Sequence, residues 1–181
     1  MHVTRNPRQL AAFTLIELLT VIAIIGILSA ITFGVVRSVS ERSSISRARG
    51  ELAMLQLALD AYKAQFGDYP QTDQSDEFLQ AMVGKRGPTG AAISRKPFIE
   101  LSKFTLSNPA QDPLTVATLT LNDPWGMPYR YVYKDGVATA WRQTAFVLYS
   151  AGPDQNDTLP EVASGNYNAQ ADNNPDNIFV D

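Results

Sequence analysis

A chain of 181 residues is room for about one domain. Its 15 basic and 18 acidic side chains give a net charge of −3, which leaves no cationic excess for a polyanion and argues against nucleic-acid binding. With no cysteine, and a single histidine at His2, the chain lacks disulfides, thiolate sites, Ser-His-Asp triads and almost any route to a zinc centre.

The charge is unevenly distributed. Residues 1–66 hold seven Lys/Arg and four acids, whereas no basic residue follows Arg142. Beyond it lie Asp154, Asp157, Glu161, Asp172, Asp176 and Asp181. Such an acidic, Asn- and Gly-rich end reads either as a solvated tail or as a set of oxygen donors for a hard cation.

Residues 1–12 are short and polar, with Arg5 and Arg8. Residues 13–36 then form an apolar run whose one charge is Glu17. As a helix it is about 36 Å long, enough for a hydrocarbon core of about 30 Å. A secretory signal peptide has a shorter apolar core of about 7–15 residues, and Leu28 occupies the place where cleavage after Ala30 wants a small side chain. A carboxylate in such a helix costs roughly 2.5–3.5 kcal/mol, so Glu17 calls for a positively charged partner. Gly26, Ala30 and Gly34 fall four apart, a spacing that permits close helix packing.

Phe13-Thr14-Leu15-Ile16-Glu17-Leu18-Leu19, behind a short basic leader, resembles the type IV prepilin signal. That resemblance implies a prepilin peptidase cut between Ala12 and Phe13, with Ala12 where the family usually has Gly, and methylation of the new α-amine. It further implies that the Phe13 amine of an incoming subunit neutralises Glu17 of its neighbour during assembly. A bare count of the arginines flanking the span (two before it; Arg37, Arg42, Arg47 and Arg49 after it) favours the reverse orientation. The leader motif and Glu17 set the orientation adopted here.

Ile45, Ala48, Leu52, Leu55, Leu59, Tyr62 and Phe66 recur at steps of three and four, one apolar stripe on the amphipathic half of the helix, residues 37–66. Gly67 and Pro70 end the helix. In the variable αβ segment 67–122, Ser75 is expected to cap a short helix through Val83 with Phe78, Leu79, Met82 and Val83 inward. Lys85–Gly90 reads as a loop and Leu114–Leu121 as a strand.

Asp123-Pro124-Trp125-Gly126 is a turn signature. Tyr129, Tyr131 and Tyr133 then alternate as a strand, Asp135-Gly136 reads as a hairpin, and strands over Val137–Trp141 and Ala145–Ser150 complete an antiparallel meander within residues 123–181. The helix exit (Leu59–Lys63 and Phe66–Pro70), the Asp123–Tyr129 block and Phe146–Asp154 together resemble the G-type major pseudopilins of type II secretion systems. The middle segment is longer than is usual there.

The fold implied is α+β and type IV pilin-like: a long N-terminal helix packed on a small antiparallel sheet. The implied function is a non-enzymatic subunit, anchored by one inner-membrane span with its C-terminal domain in the periplasm. It polymerises as a helical homo-oligomer, the pseudopilus, with other pseudopilins and the inner-membrane assembly platform as partners. The resemblance also implies a structural calcium in the loop after the last strand. Its expected ligands are Asp154, Asp172 and Asp176, then Asn174, with backbone oxygens near Leu148 and Ser150. Two alternatives are a type IV pilin or minor pilin-like subunit, and a membrane-tethered binding module that does not polymerise.

Overall fold

A computed structural model describes residues 14–133, 146–156 and 176–180, with the side chains of 31–38 excepted. The chain divides into two units, residues 1–40 and 41–181. The helix α1, Leu15–Phe66, contributes to both.

In the first unit the described apolar side chains of α1 are exposed on every side, from Leu15, Ile16 and Leu18 to Ile24, Ile27 and Leu28. Among the described residues no helix is long and apolar enough to cross a membrane. The expected span, residues 13–36, extends beyond the described side chains at both ends.

In the second unit the helical stripe does what its spacing predicts. Ala48, Leu52, Leu55, Leu59 and Tyr62 are buried, and Ile45 and Phe66 pack at the edge of the same core. Burying each large side chain is worth about 1.5–3 kcal/mol, so this face ties α1 to the domain. Gly67 stops the helix in the left-handed region at φ 85°, its N–H donating to the Lys63 carbonyl at 2.7 Å.

Helix α2, Ser75–Met82, turns Phe78, Leu79, Ala81 and Met82 into the core. Ser75 is not its cap. Gln74 holds that position without a side-chain bond, and the Ser75 hydroxyl instead donates to the Tyr129 carbonyl at 3.0 Å. A 3-10 turn, Leu101–Lys103, precedes strand β1, Thr105–Leu106, which pairs antiparallel with β2, Leu121–Asn122.

The expected strand over Leu114–Leu121 shrinks to that short β2. Asp112 captures the segment first: its carboxylate accepts from Leu114 N–H at 2.9 Å and its carbonyl accepts from Thr115 and Val116. This local turn outcompetes the β propensity of the Thr-rich run.

The second sheet has the order β3 (Arg130–Tyr133), β4 (Phe146–Ser150), β5 (Ile178–Phe179), all antiparallel. Tyr131 lies opposite Leu148 and Ser150 opposite Ile178. The 146–150 strand therefore pairs directly with the tyrosine strand, and its other edge takes β5, which is too short to read from sequence. Asp135-Gly136 and Val137–Trp141 lie outside the described residues. Of the three tyrosines, Tyr129 and Tyr131 are buried, and Tyr131 stacks on Phe78 with ring centroids 4.6 Å apart. Both belong to the core.

Candidate functional site

Helix α1 begins with a reciprocal cap. The Thr14 N–H and hydroxyl both donate to Glu17 Oε2, at 3.2 and 3.1 Å, and the Glu17 N–H approaches Thr14 Oγ1 at 3.3 Å. This is a capping box, in which a threonine and a glutamate three residues on satisfy each other's backbone donors. Among the described residues, every group that touches the Glu17 carboxylate belongs to its own first turn, and the side chain is exposed. The cap holds it at the positive end of the helix dipole. Ala12 and Phe13 lie outside the described residues, so their reach to Glu17 does too. A Cβ added at Gly26 meets nothing within 4 Å, and Ala30 is exposed, leaving this face open. Gly34 falls within 31–38.

The amphipathic half carries an ion pair between an exposed arginine, Arg47, and a buried acid, Glu51, beside the apolar stripe. Glu51 is 2% exposed, bound by Arg47 Nε at 2.7 Å and by the Tyr129 hydroxyl at 2.6 Å. Arg47 also donates to Thr105 Oγ1 at 2.9 Å, so one acid links α1 to β1 and to the residue before β3. Burial, reinforced by the Glu51 bond, pushes the Tyr129 phenol well above its usual range. The legible signal was Arg47 and Glu51 at i,i+4 with Glu51 beside Leu52 and Leu55 on the stripe.

Asp123 joins the Asp123–Tyr129 and Phe146–Asp154 blocks of the C-terminal half into one structure. Its Oδ1 accepts from the N–H groups of Trp125 and Met127 at 3.0 and 2.9 Å, closing the turn. Its Oδ2 accepts from the Ser150 hydroxyl at 2.6 Å, and Ser150 Oγ accepts from Gly152 N–H at 3.1 Å. The buried Asp123 carboxylate thus ties the turn to the exit of β4. Ser150 gives its side chain to this clasp, and the Leu148 carbonyl accepts from Val180 N–H at 3.1 Å.

The chain then enters the acidic loop. Gly152 sits at φ 73°, and a Cβ there would land on the Asp176 carbonyl, so glycine is required on two counts. Asp176 Oδ2 accepts from Asp154 N–H at 3.0 Å, and Asp154 Oδ1 accepts from Asn156 N–H at 2.8 Å. The structure therefore brings together Asp154 and Asp176, which are 22 residues apart in sequence. Asp176 Oδ1 and both polar atoms of the Asn177 side chain are buried with no hydrogen-bond partner among the described residues. A buried, unpartnered carboxylate oxygen and, on the next residue, an unpartnered amide oxygen are donor types suited to a hard cation. Asn177 is thereby added to the expected donors. Asp172 and Asn174 lie outside the described residues, among which no group of three or more acidic, histidine or cysteine side chains is close enough to hold a metal.

A capped apolar helix continuing into an amphipathic half, laid on small antiparallel sheets, defines a pilin-like subunit. Two family models match the chain: the prokaryotic N-terminal methylation motif over residues 8–33, and type II secretion system protein G over residues 35–164. The type II secretion system core protein G of Pseudomonas aeruginosa is 34% identical over 149 residues, covering 81% of this chain and 86% of its own length. The core protein G of Dickeya chrysanthemi is 29% identical over 171 residues, covering 94% and 95%, and that of Escherichia coli is 30% identical over 142 residues, covering 78% and 81%. No solved structure matches the chain. The chain belongs to the type II secretion system protein G family and is a pseudopilin subunit of such a system.

Proposed function

We propose that this pseudopilin is cut between Ala12 and Phe13 by a prepilin peptidase, N-methylated at Phe13, and assembled from the inner membrane into a periplasmic helical filament of its own copies. It acts as a structural part rather than an enzyme, with other pseudopilins and an inner-membrane platform as its assembly partners. The observation that carries this reading is Glu17: an exposed carboxylate, met among the described residues only by its own first turn, on a helix whose apolar side chains are exposed all round. Such a helix needs a bilayer or neighbouring helices to cover it, and Glu17 needs a cation there. A methylated amine at residue 13 of a neighbour supplies that charge. Glu17→Ala is expected to abolish filament assembly while the precursor still reaches the membrane. Filaments of normal yield from that variant would refute the role.

The loop is proposed to hold calcium through Asp154 and Asp176, with Asn177, Asp172 and Asn174 as further oxygen donors. The stranded Asp176 oxygen supports this assignment. A bound calcium would neutralise the carboxylates and pin the C-terminal segment against β4, the work a disulfide does in a chain that has cysteines.

A further inference from the structure

The segment between α2 and the 3-10 turn is a hairpin whose charge the filament reading leaves unused. Ile93 N–H donates to the Lys85 carbonyl at 2.9 Å, Gly87 N–H to Ala91 at 2.8 Å and Arg95 N–H to Gly84 at 2.9 Å, so residues 84–95 fold back on themselves. Two anchors hold the hairpin at the C-terminal end of α1. The Tyr62 hydroxyl donates to the Arg86 carbonyl at 2.8 Å, and Phe98 packs on the rings of Tyr62 and Phe66. Gly84 is needed at its base, at φ 75°, because a Cβ there would meet the Arg95 carbonyl at 2.6 Å.

No acid occurs between Phe78 and Ile99, while Lys85, Arg86, Arg95 and Lys96 do. Of the flanking acids, Glu77 is engaged by Arg86 at 2.7 Å and Glu100 accepts from the Ser102 hydroxyl. Lys85, Arg95 and Lys96 have no ion pair among the described residues. Arg95 and Lys96 are exposed and, with Gln65, Ser94 and Pro97, line an open cleft of about 680 Å³. On a chain of net charge −3, the cations Lys85, Arg95 and Lys96 have a complement in Asp157, Glu161 and Asp181, the acids after Arg142 that the calcium assignment does not use, in a stretch that carries no base.

From this juxtaposition we infer that the cationic hairpin is the docking face for the carboxylate-rich C-terminal stretch of a second copy of this chain. The two faces differ, so the contact is heterologous. Repeated copy on copy, it builds an open helical array rather than a closed dimer. Complementary charge fixes register and rejects wrong neighbours. The inference rests on the filament reading and adds to it a polar contact outside the helix bundle.

The cysteine-free chain permits a direct test on the full-length protein. One tagged copy carries Lys96→Cys and a differently tagged copy carries Glu161→Cys or Asp181→Cys. Oxidation of assembled filaments should give a disulfide between the two tagged copies, absent when either cysteine is omitted. Arg95→Glu with Lys96→Glu should lower filament yield at least about tenfold at physiological salt, through like-charge opposition. Gln at both positions should give a smaller loss. Filaments that form normally with the reversed charges, or assembled filaments with no disulfide between the two tagged copies after oxidation, would overturn the docking face while leaving the filament reading intact. Failure of the unmodified chain to form filaments at all would remove both.

Discussion

Replacing Tyr129 with phenylalanine removes one oxygen from the core and preserves the ring. That oxygen donates to Glu51 Oε2 at 2.6 Å, and Glu51 is 2% exposed. A hydrogen bond to a charged group is worth about 1.5–3 kcal/mol, and here its loss leaves a buried carboxylate oxygen without its donor. Arg47 still binds the other oxygen at 2.7 Å, so the acid does not become wholly unpaired. The expected cost is about 2 kcal/mol, or a fall in Tm of about 4–8 °C for a domain of this size. Thermal unfolding of the full chain in detergent, followed by near-ultraviolet circular dichroism, measures it. Tyr133→Phe is the control: its hydroxyl binds the only partly buried Asp68 at 2.7 Å, and its loss should cost under about 1 kcal/mol. In a Glu51→Gln background the Tyr129→Phe effect should shrink. Equal shifts for the two tyrosines, or a Tyr129→Phe cost below about 0.5 kcal/mol, would refute the claim that Glu51 pins helix to sheet.

Gly152→Ala should lower stability by about 2–4 kcal/mol, because it combines a left-handed backbone with a collision on Asp176; comparable melting of the two proteins would contradict this. Chelating calcium should lower the Tm of the globular domain and restoring it should reverse the change, and Asp176→Ala should show no response. Burial raises the phenol pKa of Tyr62, to about 12, and those of Tyr129 and Tyr131 further. The unfolded chain sheds these protons above pH 10 while the folded chain keeps them. The stability they contribute is therefore full below pH 10 and is lost as pH rises, at about 1.4 kcal/mol per pH unit for each group. Denaturant titrations between pH 9 and 11 read that slope, and a flat profile would contradict it.

What the sequence made legible was local or periodic. The core face of α1 follows from its 3.6-residue spacing, the stop at Gly67 from chain chemistry, and the turn at Asp123 from Pro second and Gly fourth. Thr14 and Glu17 have the capping-box spacing as plainly as they have the prepilin motif, and the cap and the proposed assembly role call on the same carboxylate. Leu114–Leu121 misleads because composition records propensity, whereas Asp112 decides the backbone by direct hydrogen bonds. The long-range bonds of Glu51 and Ser150 are opaque for a different reason. Their partners, Tyr129 and Asp123, are 78 and 27 residues away, and nothing in a linear pattern announces such a pair. The acidic loop was half legible: its acids mark a region of oxygen donors, but only the fold puts Asp176 against Asp154 and leaves the Asp176 Oδ1 and the Asn177 side-chain polar atoms buried.

The most direct test of the central claim is the intact mass of the protein recovered from membranes, with sequencing of its N-terminal peptide. A processed pseudopilin begins at N-methylated Phe13. A chain still starting at Met1, or one starting at Ile31 as a cleaved secretory protein would, contradicts the account.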